Sequence, residues 1–160
     1  MTMLSLEIAV EGPLEVGKPV RLTARIKNVG AHDGAGVLNL DLSASDRYPR
    51  YHIFWTDPDN GLNFPLLICG TATRMQSSDV VDLKPGDSFD PFGPTAYRHP
   101  KVEVIPRVAG RHRVELYVDY SEADPRKWNS PWQPVDEPVA ERLARVPRVK
   151  LSASAEFDVK

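Results

Sequence analysis

The amino-acid sequence predicts an all-β protein: an antiparallel two-sheet sandwich of eight to nine strands, with one short helix inserted before the last strand. Three observations point there. Apolar residues recur at alternate positions in run after run, the mark of a strand with one face buried and the other in water. Gly- and Pro-containing turn signals separate those runs. Helical spacing is clear only once, late in the chain. The strands are short and irregularly connected, which suits a sandwich better than a barrel.

In LSLEIAV, residues Leu4, Leu6, Ile8 and Val10 share one face, and Ser5, Glu7 and Ala9 share the other. VRLTARIKN repeats this, with Val20, Leu22, Ala24 and Ile26 inward against Arg21, Thr23, Arg25 and Lys27. The Gly-rich NVGAHDGAG then forms a loop, and VLNLDLS continues through Leu38, Leu40 and Leu42. YHIFW and LNFPLLIC are β-rich runs around a turn, and Pro65 gives the second an edge position or a bulge. SDVVDLKPGDSF reads as a short strand ended by Pro85-Gly86, and KVEVIP alternates through Val102 and Val104. RHRVELYVDYS places Val114, Leu116, Val118 and Tyr120 on one face. The last strand does the same with Leu151, Ala153, Ala155, Phe157 and Val159.

Between the last two strands lies a polar segment, residues 121–148, that holds Trp128, Trp132 and four prolines before Pro147. Within it DEPVAERLARVP predicts the helix. Asp136 is placed to cap it, Pro138 fits its first turn, Val139, Leu143 and Val146 form an apolar stripe, and Pro147 ends it. Glu141 and Arg145 stand four apart and are expected to pair.

At 160 residues the chain is the size of one domain, residues 1–160, able to bury roughly two-thirds of its unfolded surface. Its 20 basic and 22 acidic residues leave a net charge of −2, which provides no global field for nucleic acid or an anionic membrane. The single cysteine, Cys69, excludes an intrachain disulfide and reads as a small apolar residue beside Leu67 and Ile68. MTMLSLEIAVEGP has no basic leader region, and no apolar run reaches the eighteen or so residues of a membrane span. A soluble, cytoplasmic protein is expected, or a secreted one if a leader has been removed.

VGKPVRLTARIKNVG, VDLKPGDSF and AGRHRVELYVDY, in that order, resemble the landmarks of bacterial and fungal immunoglobulin-like domains. There a Gly-Lys-Pro-hydrophobic turn opens the second strand and Asn-x-Gly closes it, as Gly17 to Val20 and Asn28 to Gly30 do in this chain. A Leu-x-Pro-Gly turn, here Leu83 to Gly86, precedes a Gly-x-His-x-Val strand, here Gly110 to Val114. The resemblance covers most of the chain outside 121–148, whose two tryptophans depart from the pattern. It implies an immunoglobulin-like fold and an adhesive, accessory or inhibitory module, and it transfers no catalytic residue.

Several candidate sites fail on their own chemistry. GPLEVGKP matches a phosphate loop up to Lys18, but Pro19 stands where a magnesium-binding hydroxyl is needed, and a strand rather than a helix follows. Asp57, Asp59 and Asn60 resemble the start of a calcium loop, but its twelfth position is Ile68, not glutamate. Pro58 and Gly61 explain the same residues as a hairpin turn. His32, His52, His99 and His112 have no metal-ligand spacing, and no nucleophile elbow is present. By phase, His52 faces away from Tyr51, Ile53 and Trp55, and His112 lies near a strand end. No enzyme activity, cofactor or metal is expected.

The aromatics remain. Trp128 and Trp132 either staple their long loop to one end of the body or present a surface, joined by Tyr48, Tyr51 and Trp55. The sequence therefore predicts a non-catalytic binding or protein-protein interaction module with those five residues as its site, and a protein as its partner. The alternative is a carbohydrate-binding module that uses the same rings. Coplanar exposed rings would favour sugar, and an apolar patch would favour protein.

Overall fold

The computed structural model describes residues 4–31, 35–38, 49–63, 75–92, 102–129 and 134–160. In chain order the strands are β1 (Leu4–Glu11), β2 (Val20–Asn28), β3 (Ala35–Leu38), β4 (Arg50–Thr56), β5 (Leu62–Asn63), β6 (Val80–Leu83), β7 (Ser88–Phe89), β8 (Val102–Val104), β9 (Gly110–Asp119) and β10 (Lys150–Val159), with the helix α1 (Glu137–Leu143) before the last. The protein is all-β with several antiparallel sheets. One sheet pairs β1 with β2, whose other edge takes β8 along its first residues and β7 along its last. A second runs β10-β9-β4-β5, and a third, smaller sheet joins β3 to β6. No described helix is long and apolar enough to cross a membrane.

Alternation drives the packing as the sequence predicts. Leu4 and Leu6 of β1, Val20, Leu22, Ala24 and Ile26 of β2, Val114, Leu116 and Val118 of β9, and Leu151, Phe157 and Val159 of β10 join one buried cluster. β3 breaks the pattern, since all four of its residues are buried. The reason is cover on both sides. A side chain at Gly36 would lie 3.1 Å from Val146 and 3.2 Å from Val80, and the Gly36 N–H donates to the Arg145 carbonyl. The chain just after α1 therefore rests directly on β3, an approach that a Cβ at this position would crowd. The continuation expected through Leu40 and Leu42, like Pro65, Cys69, His32 and His99, lies outside the described residues.

The sheets meet at Asn28, which is fully buried at the end of β2. Its side-chain amide donates to the Leu83 carbonyl of β6 at 2.8 Å, and its Oδ1 accepts from Gly30 N–H at 2.9 Å. Its backbone holds the β6–β7 turn at both Gly86 and Asp87. That turn is as expected: Asp87 N–H donates to the Lys84 carbonyl, with Pro85 next and Gly86 at φ 86°. Replacing Asn28 with alanine leaves a buried carbonyl unpaired and is expected to lower the unfolding free energy by about 1–3 kcal/mol, measurable by urea titration.

The helix starts where the sequence places it, with Asp136 at the N-cap position and Pro138 in the first turn. Val139, Leu143 and Val146 are buried as a stripe. Arg145, however, reaches Asp82 of β6 at 3.3 Å rather than Glu141, and Arg142 donates to the Val80 carbonyl at 2.8 Å. A partner on a neighbouring strand orders α1 against the sheet, which an exposed pair within the helix would not do.

Candidate functional site

Of the five aromatic residues singled out by the sequence, Trp55 and Trp128 are closed to solvent, at 1% and 0% exposure, and neither can offer its face to a ligand. Tyr51 is half-buried against the core. Tyr48 and Trp132 lie outside the described residues. The expectation of a surface built on Trp55 and Trp128 is corrected by the strand period and by the loop. Tyr51, Ile53 and Trp55 occupy the inward face of β4, and Trp128 folds under its own segment.

Trp128 follows a 3-10 turn, Pro125–Lys127, capped by Asp124, whose carboxylate accepts from Arg126 N–H. Its indole N–H donates to the Glu122 carbonyl at 3.0 Å. One ring face lies near-parallel to Tyr120, with centroids 6.0 Å apart, and the Arg148 guanidinium sits 4.6 Å from the ring centroid. Tyr120 in turn donates to the Leu38 carbonyl of β3 at 3.0 Å. Burial pushes the Tyr120 hydroxyl pKa up, partly offset by that bond to Leu38, so it remains a neutral donor.

The hairpin turn after β4 accounts for both aspartates. Asp57 Oδ1 accepts from the Asp59 and Gly61 N–H groups at 2.9 and 2.8 Å, and Asn60 takes a left-handed φ of 59°. Among the described residues, no three His, Cys, Asp or Glu side chains converge as a metal site.

The residues between the inward ones form the candidate site. Phe54 and Tyr117 are 43% and 41% exposed on the outer face of the β10-β9-β4 sheet, and their rings meet edge-to-face at 5.8 Å. His52 joins them, near-parallel to Phe54 with centroids 6.1 Å apart. Among the described residues the other large exposed apolar ones, Val16, Val29, Leu62 and Ile105, lie at strand ends or in turns. A depression of about 420 Å³ opens beside the three rings, walled by Arg50, Asp119 and Lys150.

Register arranges this face in rows. Arg50, Asp119 and Lys150 stand side by side across β4, β9 and β10, and the next row is His52, Tyr117 and Ser152. Phe54 lies opposite Glu115, and beyond it the face is ionic. Arg113 pairs with Glu115 at 2.8 Å, and Arg111 bridges Glu156 and Asp158 at 3.4 and 3.2 Å. Burial pushes the Asp119 carboxyl up, but hydrogen bonds from the Ser121 side chain and N–H, with Lys150 and Arg50 nearby, outweigh it and hold it below the ordinary aspartate value. The arrangement can stack on and hydrogen-bond a ligand.

Alternation alone would have found Phe54, because His52 is readable as outward-facing and Phe54 shares its phase. Compared with protein-family models, with curated proteins and with solved structures, the chain matches none of them.

Proposed function

We propose that this chain is a non-catalytic interaction module, an immunoglobulin-like sandwich in which the outer face of β4, β9 and β10 docks a protein partner. The observation that carries this reading is the joined, exposed pair Phe54 and Tyr117 beside an open depression, in a protein that buries both described tryptophans. Large rings on a solvated sheet face lower solubility and mark contact surfaces. Their edge-to-face angle of 78° supports a protein over a sugar, since a sugar platform needs rings that share a plane. The near-parallel His52 and Phe54 rings favour the second reading, a carbohydrate ligand, at that end of the patch.

The test is the double variant Phe54→Ala/Tyr117→Ala beside the control Val29→Ala. Both substitutions of the double variant lie on the solvated face and are expected to change unfolding free energy by no more than about 1 kcal/mol. Affinity capture from the source cell, compared by quantitative mass spectrometry, is expected to lose the partner with the double variant and keep it with the control. Identical capture by all forms would remove the face from consideration. Binding of the unaltered protein to a glycan array, abolished by His52→Ala, would favour the sugar.

A further inference from the structure

We propose that two copies of this chain join through β10, each adding to its counterpart as an antiparallel strand about a twofold axis at Ser154. The proposal is independent of the docking face and concerns the edge of the same sheet.

Ladder parity shows which backbone groups point away from the sheet. β10 pairs with β9 over ten successive residues without a bulge, and one step before them the Tyr120 N–H donates to the Val149 carbonyl. Bonds alternate in an antiparallel ladder, so Leu151, Ala153, Ala155, Phe157 and Val159 turn their N–H and C=O groups toward β9. Lys150, Ser152, Ser154, Glu156 and Asp158 turn theirs to the other side, and all five are exposed. Lys160 bears out the parity: beyond that edge its N–H donates to the Leu14 carbonyl and its carbonyl accepts from Val16 N–H. Among the described residues, no backbone hydrogen bond reaches that side between Lys150 and Asp158. β1, of the other sheet, passes alongside and makes none with it. Ala153 and Ala155 are half-buried although they face inward, so solvent reaches this flank. An edge of this length is a template for another strand, and proteins that avoid such pairing interrupt it with proline, a bulge or an inward charge. β10 has none of these.

The strand's own residues select the occupant. In KLSASAEFD, an antiparallel copy centred on Ser154 sets Lys150 opposite Asp158, Ser152 opposite Glu156, Leu151 opposite Phe157 and Ala153 opposite Ala155. Opposite charges thus meet at both ends, apolar residues meet apolar ones on the inner face, and small side chains occupy the centre. The pairing closes about ten backbone hydrogen bonds. Asp158 already bonds Arg111 at 3.2 Å, so the second copy's Lys150 joins an existing ion pair. Moving the axis one residue toward the C-terminus puts Lys150 against Lys160, whose backbone is already engaged. Moving it one residue the other way puts Asp158 against Arg148, which lies outside the strand and over the Trp128 ring. Opposed side chains share a face, so the Phe54 and Tyr117 rings of both copies point the same way.

Sedimentation velocity tests this with the full chain. The unaltered protein is expected to approach twice its 17.9 kDa mass as concentration rises through the micromolar range. Ser154→Pro removes an N–H that points away from β9, so it spares the intrachain ladder and is expected to weaken the dimer by about tenfold or more with an unchanged far-ultraviolet spectrum. Should proline disturb the fold, Ser154→Lys sets two like charges on the axis and is expected to weaken the dimer likewise. Cysteines read the register. In a Cys69→Ser chain, Ser154→Cys is expected to cross-link two copies on oxidation, with Cα atoms about 5.5 Å apart. Ser152→Cys is expected not to, since its two copies lie roughly 14 Å apart along the strands. A protein that stays monomeric at millimolar concentration overturns the proposal. So does a dimer that either folded Ser154 variant leaves intact, or one in which Ser152→Cys cross-links as readily as Ser154→Cys.

Discussion

Replacing Trp128 with alanine is expected to lower the unfolding free energy by about 3–5 kcal/mol, a large share of the roughly 5–15 kcal/mol that holds a domain folded. The ring is 0% exposed, so truncation opens a cavity instead of relieving a surface. Three further losses come with it. The Glu122 carbonyl loses the indole N–H, Tyr120 loses its near-parallel neighbour, and the Arg148 guanidinium loses the ring beneath it. Arg148 matters because its Nη1 donates to the Leu143 and Val146 carbonyls, at 3.0 and 2.6 Å, and so closes the end of α1. Burial lowers its pKa, with Glu122 pulling the other way, and the ring supplies part of the environment that a half-buried cation needs. Trp128→Phe keeps a ring to stack but drops the hydrogen bond and leaves a smaller cavity, so a cost of about 1–3 kcal/mol is expected. The measurement is guanidinium unfolding followed by circular dichroism, with hydrogen exchange at α1. If the alanine variant melts like the original protein, Trp128 is not a staple. If exchange rises only within 121–148, the segment opens on its own and the loss is local.

Much of this architecture is legible before folding, and what is not legible has identifiable causes. β1, β2, β9 and β10 each pack one face, and two-residue alternation records that directly. The helix is legible from local chemistry, Asp136 and Pro138 at its start and Val139 and Leu143 along it, although it ends at Leu143, before the Val146 and Pro147 that were expected to close it. The division of strands among sheets is not, because β2 takes β8 and then β7 along one edge, a pairing of segments 60 or more residues apart that leaves no local trace. Asn28 belongs to the same class. It looks like the polar end of a strand and is buried because Leu83, 55 residues away, needs its amide. The rings of β4 are hard to assign for another reason. β4 carries large rings on both faces, and only phase distinguishes the one that fills the core, Trp55, from the one left in water, Phe54.

The second large effect is expected at Trp55, where alanine should cost about 3–5 kcal/mol. The indole N–H donates to His112 Nδ1 at 2.9 Å, and since that N–H can only donate, Nδ1 must be the unprotonated nitrogen. His112 Nε2 therefore carries the hydrogen and donates it to the Val108 carbonyl at 2.7 Å. Phe157 completes the group, edge-on to Trp55 at 5.0 Å and near-parallel to His112 at 5.7 Å, so three rings from β4, β9 and β10 lock together. The sequence placed His112 near a strand end, and its position there holds, but it is fully buried. Trp55→Phe strands the Nδ1 lone pair and His112→Leu strands the indole N–H, so each is expected to cost about 1–3 kcal/mol. Made together they remove both partners, and the double variant is expected to lose less than the sum, with a coupling energy of about 1 kcal/mol or more. Strictly additive losses in urea unfolding would show that the bond contributes nothing. The cycle also bears on binding. Because side chains alternate, Trp55 facing inward is what holds His52 and Phe54 outward, and a one-residue slip of β4 would bury Phe54 and expose Trp55. The Trp55→Phe variant, which keeps an apolar ring facing inward, is therefore expected to keep the partner that Phe54→Ala/Tyr117→Ala loses, in spite of its lower stability.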